Sequence, residues 1–250
     1  MVEMTDADLY RRGATTLVAS WQEYARGCPS AEVIRSAGVA AAVFPDWPER
    51  ELLNNALLHR DLPAAGRMRA VATMERSYAS AGITRFAAWV HETDQPMRQD
   101  LQARGYTVNE STRAMSLVLA DLRFPRPAIE LAPADWPEYR RIVGVPPDFA
   151  READRSSFRM LIAALDGVNV AAAMAFDSGD DCGIYNVATL AQARRRGLGT
   201  ALTALLAHDA LARGCRTASL QSTPMAERIY ATIGFRDLGR ILEYGPSHPS

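Results

Sequence analysis

The segment from Gly183 to Phe235, GIYNVATLAQARRRGLGTALTALLAHDALARGCRTASLQSTPMAERIYATIGF, decides how this chain folds. Within it, Arg194-Arg195-Arg196-Gly197-Leu198-Gly199-Thr200 stands between a predicted strand (184–189) and a predicted amphipathic helix (200–213). Gly197 and Gly199 lack the side chains that would hold a ligand away from the backbone. Successive N–H groups can therefore converge on one anion at a helix start, where the macrodipole is positive. The loop reads as a pyrophosphate cradle, with the arginines adding fixed charge. An arginine-rich surface turn would use the same residues, and the loop alone does not separate the two. The residues downstream of it do. Leu202, Leu205, Leu206 and Ala210 recur at helical spacing and predict a helix packed on a sheet. Then come Gly214, the strand-like run TASLQS (Thr217 to Ser222), a helix start at Thr223-Pro224, Tyr230, and the closing pair Gly234-Phe235. His208, on the first helix, reads as a surface or packing residue.

Taken together, these elements resemble the acetyl-CoA-binding core of the GCN5-related N-acetyltransferase (GNAT) superfamily. The superfamily's Q/R-x-x-G-x-G/A loop falls on Arg194, Gly197 and Gly199, and its tyrosine falls on Tyr230, four residues before Gly234-Phe235. The resemblance implies an α/β (α+β) fold with a mixed, mostly antiparallel twisted sheet flanked by helices. It also implies acetyl-CoA as co-substrate and no metal. Acetyl-CoA would be held by Val187, Ala188 and Thr189, by Arg194, Arg195, Arg196, Gly197, Leu198, Gly199 and Thr200, and by Thr223. A splayed strand around Asn186 to Thr189 would offer free backbone groups to the pantetheine amides, and an N–H there would polarise the thioester oxygen. The acceptor, a primary amine of a small molecule, would attack the thioester directly, with Tyr230 as the general acid that protonates the leaving thiolate. One departure stands out: where many members carry Asn before the second helix, this chain has Ser222 or Thr223. The general base stays open among Glu227, Asp148, Glu152, Glu243 and a water chain. Phe149, Tyr185 and Tyr244 suit either an acceptor pocket or the core.

The whole chain fits this reading. Its 250 residues, 48% of them hydrophobic, can bury a substantial core as one large or two small domains. All 28 basic residues are arginine and the net charge is −1, so there is no broad basic field of the kind nucleic-acid binding needs. Cys28, Cys182 and Cys215 are too few and too widely spaced for a disulfide framework or a zinc site. Cys182 and Cys215 read as small buried apolar residues. No run approaches the roughly 20 apolar residues of a membrane span, and the N-terminal residues carry no apolar leader pattern. A cytoplasmic protein is the default, with a homodimer left open.

The stretch DLRFPRPAIELAP (121–133) places three prolines around a short apolar run and predicts a linker ahead of a strand at 129–131. The expected domains are therefore 1–122 and 123–250. In the second, Asp135 would cap a helix over 136–142 ended by Gly144, and a short helix would come next over 148–153. Strands over 158–165 and 169–176 would be joined through the hairpin pair Asp166-Gly167. The first half holds a fainter copy of the second. From Gly82, a helix-ending glycine, strand, Pro96-Met97, helix and Gly105-Tyr106 parallel Gly214, Pro224-Met225 and Gly234-Phe235. Two unrelated units sharing turn chemistry would look similar. The first copy lacks the chemistry: LPAAGRMRA carries Gly66 alone, and Leu101 stands in place of Tyr230. The expectation is two tandem GNAT-like folds with a degenerate N-terminal copy, an architecture resembling mycothiol synthase. The segment 46–62 is read as helix-prone, with Asn54, Asn55 and His59 on it. Two readings compete with the enzyme: a non-catalytic acyl-CoA sensor or interaction module, and a protein N-acetyltransferase.

Overall fold

The computed structural model describes residues 4–36 and 38–247. In chain order the helices are α1 (Asp6–Arg26), α2 (Ala64–Ser80), α3 (Gln95–Ala103), α4 (Trp136–Val143), α5 (Leu198–Ala212) and α6 (Glu227–Ile233). The strands are β1 (Glu32–Ser36), β2 (Val39–Val43), β3 (Asn55–Leu58), β4 (Ala87–His91), β5 (Tyr106–Val118), β6 (Leu131–Ala132), β7 (Phe158–Leu165), β8 (Val168–Ser178), β9 (Asp181–Thr189), β10 (Thr217–Ser222) and β11 (Arg236–Pro246). This is the mixed α/β architecture expected, with parallel pairs at β3–β4 and β9–β10 among antiparallel ones.

Two compact units emerge, and their bounds are not 1–122 and 123–250. One comprises residues 1–20 and 114–238, the other 21–113 and 239–250. Strands β5 and β11 and helix α1 each give residues to both units, a division that a single cut in the sequence cannot express.

In the unit that holds 114–238, the strand order runs β5-β10-β9-β8-β7-β6. Alternation along the strands assigns the two faces. Ala218 and Leu220 of β10, Ala173 and Ala175 of β8, and Ile184 of β9 share an apolar cluster with Leu202, Leu206 and Ala210 of α5. The intervening residues meet α1 and α4: Arg12 donates to the Thr217 hydroxyl at 3.1 Å, and the Tyr139 hydroxyl reaches the Met174 sulfur at 3.7 Å. Gly13 is required here, because a Cβ on it would stand 2.9 Å from that of Ser219. Helix α4 starts and stops where the sequence says. The Asp135 carboxylate accepts the Glu138 N–H at 3.2 Å, and Gly144 closes the helix at φ +81°. Asp166 (φ +53°) and Gly167 (φ +75°) form the tight turn between β7 and β8.

In the other unit the order is β1-β2-β3-β4-β11-β5, with α2 and α3 enclosing a core that includes Val71, Met74, Tyr78, Met97 and Leu101. The parallel seen in the sequence is present in order of elements: Gly82, β4, α3 with Pro96 in its first turn, then Gly105 at φ +83° and β5. Asp94 caps α3 by accepting the Met97 N–H at 3.2 Å.

Three expected elements differ. Residues 148–153 form successive turns, not a helix, because Ala150 sits at φ +50° and the bonds Arg151 N–H to Asp148 and Ala153 N–H to Ala150 span three residues. The segment 46–62 is likewise turns leading into β3. Asn54 fixes it, accepting the Phe44 N–H at 2.8 Å and donating to the Trp47 carbonyl at 2.9 Å. Asn55 is buried in β3 and His59 lies just beyond it, so neither is on a helix. The strand expected at 129–131 shrinks to the two residues of β6.

Candidate active site

The cradle is built by an alternation of backbone conformation. Arg195 (φ +62°) and Gly197 (φ +77°) are left-handed, with Arg196 between them at negative φ, an arrangement that turns neighbouring N–H groups toward a common point. Gly197 is the N-cap of α5, where no side chain caps the helix and no acidic residue lies in the first turn. The orphan N–H groups of a helix start therefore face outward without a carboxylate to compete for them. Leu198, 7% exposed, anchors the loop in the apolar core, while Arg194, Arg195 and Arg196 are exposed. Arg194 donates to the Thr189 carbonyl at 3.2 Å and so ties the loop to the end of β9. The two glycines have different reasons to be there. Gly197 holds a left-handed conformation. Gly199 does not, and a Cβ on it would meet only Val187 Cγ1, at 3.7 Å. What Gly199 leaves open is the space above the first helical turn.

Beside the loop, β9 and β10 part. Their parallel register runs from Thr217↔Asp181 to Ser219↔Gly183. Beyond it β9 bends away through a bulge. Against β8, Tyr185 pairs with Met174 and Ala188 with Ala172, so Asn186 and Val187 together oppose Ala173. Asn186 takes the left-handed conformation, φ +54°. The extra residue changes the phase of the strand, and Ile184 and Val187, three apart, both pack on the α5 side. Val187, Ala188 and Thr189 are partly exposed. The predicted splay is thus seated next to the predicted cradle.

Tyr230 lies on α6, which packs on α5. It is 8% exposed, and its ring meets Phe235 edge-on at 6.1 Å between centroids. Burial pushes its phenol up to about 12, opposed by a side-chain hydrogen bond with Thr203. Thr203 stands one turn beyond Gly199 and donates to that residue's carbonyl at 2.9 Å. Sequence reasoning missed Thr203; the signal was its i+4 spacing from Gly199 on one helix face. The helix expected to start at Thr223-Pro224 begins only at Glu227, because residues 223–226 close a separate turn through the Ala226 N–H to Thr223 bond. Thr223 is exposed there. Buried Ser222 donates to the Thr223 carbonyl at 2.9 Å and has no hydroxyl proton left for a ligand.

The carboxylates proposed as bases are not gathered. Asp148 and Glu152 are exposed, and Asp148 lies 3.5 Å from Arg151. Glu227 opens α6, while Glu243 lies on β11 in the other compact unit. Burial pushes Glu243 up to about 7; the Thr112 hydroxyl opposes this, and Glu110 and Glu51 add to it. Phe149 (4% exposed) and Tyr244 (0%) are core residues, as is Tyr185, whose ring lies over Gly183. Cys182 and Cys215 are buried free thiols, and burial pushes Cys215 up to about 11, which keeps it in the thiol form at neutral pH. The His208 Nε2 is 2.9 Å from the Phe124 carbonyl, a packing contact. Among the described residues no group of three or more His, Cys, Asp or Glu is placed to hold a metal, and no helix is long and apolar enough to cross a membrane.

Known proteins match this chain in sequence over part of its length and in structure over nearly all of it. Residues 126–235 match the model of the acetyltransferase (GNAT) family. The structure of a GCN5-related N-acetyltransferase from Kribbella flavida is similar over 95% of this chain and 96% of its own, with a TM-score of 0.72 and 19% identity. One from Sphaerobacter thermophilus covers 97% and 93%, with a TM-score of 0.63 and 16% identity. A tandem GNAT protein from the clavulanic acid biosynthesis pathway covers 98% and 97%, with a TM-score of 0.63 and 15% identity. At such identities the likeness establishes the fold alone. No curated protein matches the sequence at a significant level.

Proposed function

From the match of residues 126–235 to the model of the acetyltransferase (GNAT) family and the geometry beside it, we propose that the chain is an acetyl-CoA-dependent N-acetyltransferase acting on a primary amine of a small molecule. The observation that carries this is the coincidence of two unpaired backbone surfaces. The uncapped start of α5 offers N–H groups at Gly197 to Thr200, and the parted edge of β9 leaves Val187 to Thr189 without a β10 partner on that side of the strand. One suits a pyrophosphate and the other an extended chain of amides, which are the two halves of coenzyme A.

Acetyl-CoA, when bound, supplies the activated acyl group as a thioester. The residues of the chain bind, orient and move protons. Gly197, Leu198, Gly199 and Thr200 bind anionic oxygens through the backbone, with Arg194, Arg195 and Arg196 adding charge, and Val187 to Thr189 orient the pantetheine arm. Tyr230 holds a proton on its hydroxyl at neutral pH, because burial keeps the phenol well above that range, and can deliver it to the leaving sulfur. Thr223, exposed just beyond β10, is the remaining residue of this reading on the acetyl-CoA side. The first half of the chain repeats the fold without the cradle. Pro63 lacks an N–H, the Gly66 N–H is bonded to the Pro63 carbonyl at 2.7 Å, and Gly66 sits inside α2. That supports one acetyl-CoA site per chain.

Isothermal titration of acetyl-CoA into the protein and into a Gly197→Glu, Gly199→Glu double variant tests the reading. One site, lost in the variant, is expected. No binding to the wild type overturns the acetyltransferase reading, and two sites overturn the degenerate first copy. Binding without release of free CoA in the presence of any amine overturns catalysis and leaves a sensor.

A further inference from the structure

We propose that Tyr139 is a positioning residue for acyl transfer, acting through Asn186 to hold the β9 bulge in shape. The inference rests on the acyl-CoA reading of that bulge and adds what sets its geometry.

The Tyr139 hydroxyl touches both strands at the defect. It accepts a hydrogen bond from Asn186 Nδ2 at 2.8 Å on β9 and donates to the Met174 sulfur at 3.7 Å on β8. Met174 belongs to the last pair before the register breaks, and Asn186 is the first inserted residue. One fully buried phenol therefore pins the defect from both sides; Tyr139 is 1% exposed and Met174 0%. Asn186 is suited to its half of the contact twice over. Asparagine tolerates the left-handed backbone better than other residues bearing a Cβ, and its amide supplies a donor that glycine would lack.

The carrier of Tyr139 is rigid. Helix α4 is capped at both ends, and Trp136 packs edge-on against Tyr139 (5.7 Å) and Phe158 (6.0 Å). Arg141 donates to the Asn169 carbonyl at 3.0 Å, and the Glu138 carboxylate accepts from the Asn169 amide at 3.2 Å. The helix is thus fixed to the start of β8 independently of Tyr139, so loss of the hydroxyl would release the bulge without releasing the helix. Backbone groups in a bulge have no ladder to restrain them, and small rotations there re-aim every later N–H of the strand.

The test uses the full-length protein and two readouts. The first is amide hydrogen exchange at 186–189 without ligand; the second is acetyl-CoA affinity by titration. In Tyr139→Phe, exchange at these amides should accelerate and affinity fall by about tenfold each, the effect of one lost hydrogen bond at a partly buried site. Asn186→Gly, which keeps the backbone conformation and removes the amide, should do the same, and the double variant should be no worse than either single one. Asp94→Ala, which uncaps α3 and leaves α4 untouched, serves as a stability control: thermal stability should drop while exchange at 186–189 and affinity stay at wild-type values. Unchanged exchange in Tyr139→Phe, or losses that add in the double variant, would overturn the proposal. If wild type fails to bind acetyl-CoA, the functional reading falls, and the exchange measurements still decide whether Tyr139 holds the bulge.

Discussion

At Tyr230 one proton is governed by burial and by a threonine a turn past the cradle. Removing the hydroxyl leaves the packing against Phe235 intact, so Tyr230→Phe should keep acetyl-CoA affinity within about twofold while turnover falls by about 10²-fold or more, measured by free-thiol release. Glu243 gives a second residue-level prediction. Its folded value of about 7 exceeds its ordinary 4.5, so the native state binds the proton more tightly than the unfolded chain. Stability is then fully favoured below the ordinary value, declines as pH rises from about 4.5 to 7, and levels above that. Glu243→Gln should flatten this slope and be more stable than wild type at pH 8 by about 1–2 kcal/mol, after allowance for partial exposure, as read from denaturant unfolding. Of these residues, Tyr230 and Gly197 were legible because a position in a motif or a backbone conformation calls for them. Thr203, Asn186 and Tyr139 were not. Their roles depend on partners that lie 27, 47 and 47 positions away and leave no local pattern.

Elements with a strong local signal formed where expected. The β10 run TASLQS spans Thr217–Ser222, and α4 runs from its Asp135 cap to Gly144. Helix α5 starts two residues early, at Leu198, because glycine at its N-cap admits a helix start inside the loop. Asp135→Ala removes one capping bond and should destabilise the protein by about 1 kcal/mol in denaturant unfolding. Elements without such signals were misread. Residues 148–153 and 46–62 have helical composition, yet a left-handed Ala150 in one and the Asn54 side-chain bonds in the other commit them to turns. Long α1 passed unnoticed, although its Gly13 and Arg12 fit Ser219 and Thr217 across more than 200 positions of sequence.

For the chain as a whole, each compact unit is assembled from segments far apart in sequence. Residues 4–20 belong with 114–238, and 239–247 with 21–113. A fragment of residues 123–250 would lack β5 and the α1 residues that cover Asp181, Thr217 and Ser219, where buried Asp181 accepts from both hydroxyls at 2.6 and 2.8 Å. Exposing that polar cluster and the edge of β10 should leave the fragment without a cooperative unfolding transition by circular dichroism, in contrast to the full chain. A single sharp transition in the fragment would show that the N-terminal segment is dispensable for folding.

The sequence by itself determined the glycine-bearing loop, the helix behind it, the strand after that helix and the place of Tyr230 on the next one. Each is encoded within a few residues by glycine conformation, apolar period or a short motif. Only the tertiary structure decided which segments complete each unit, where β9 bulges and what holds the bulge. Those outcomes are set by register and by side chains meeting from distant parts of the chain, and a chain read in one dimension carries no distance between them.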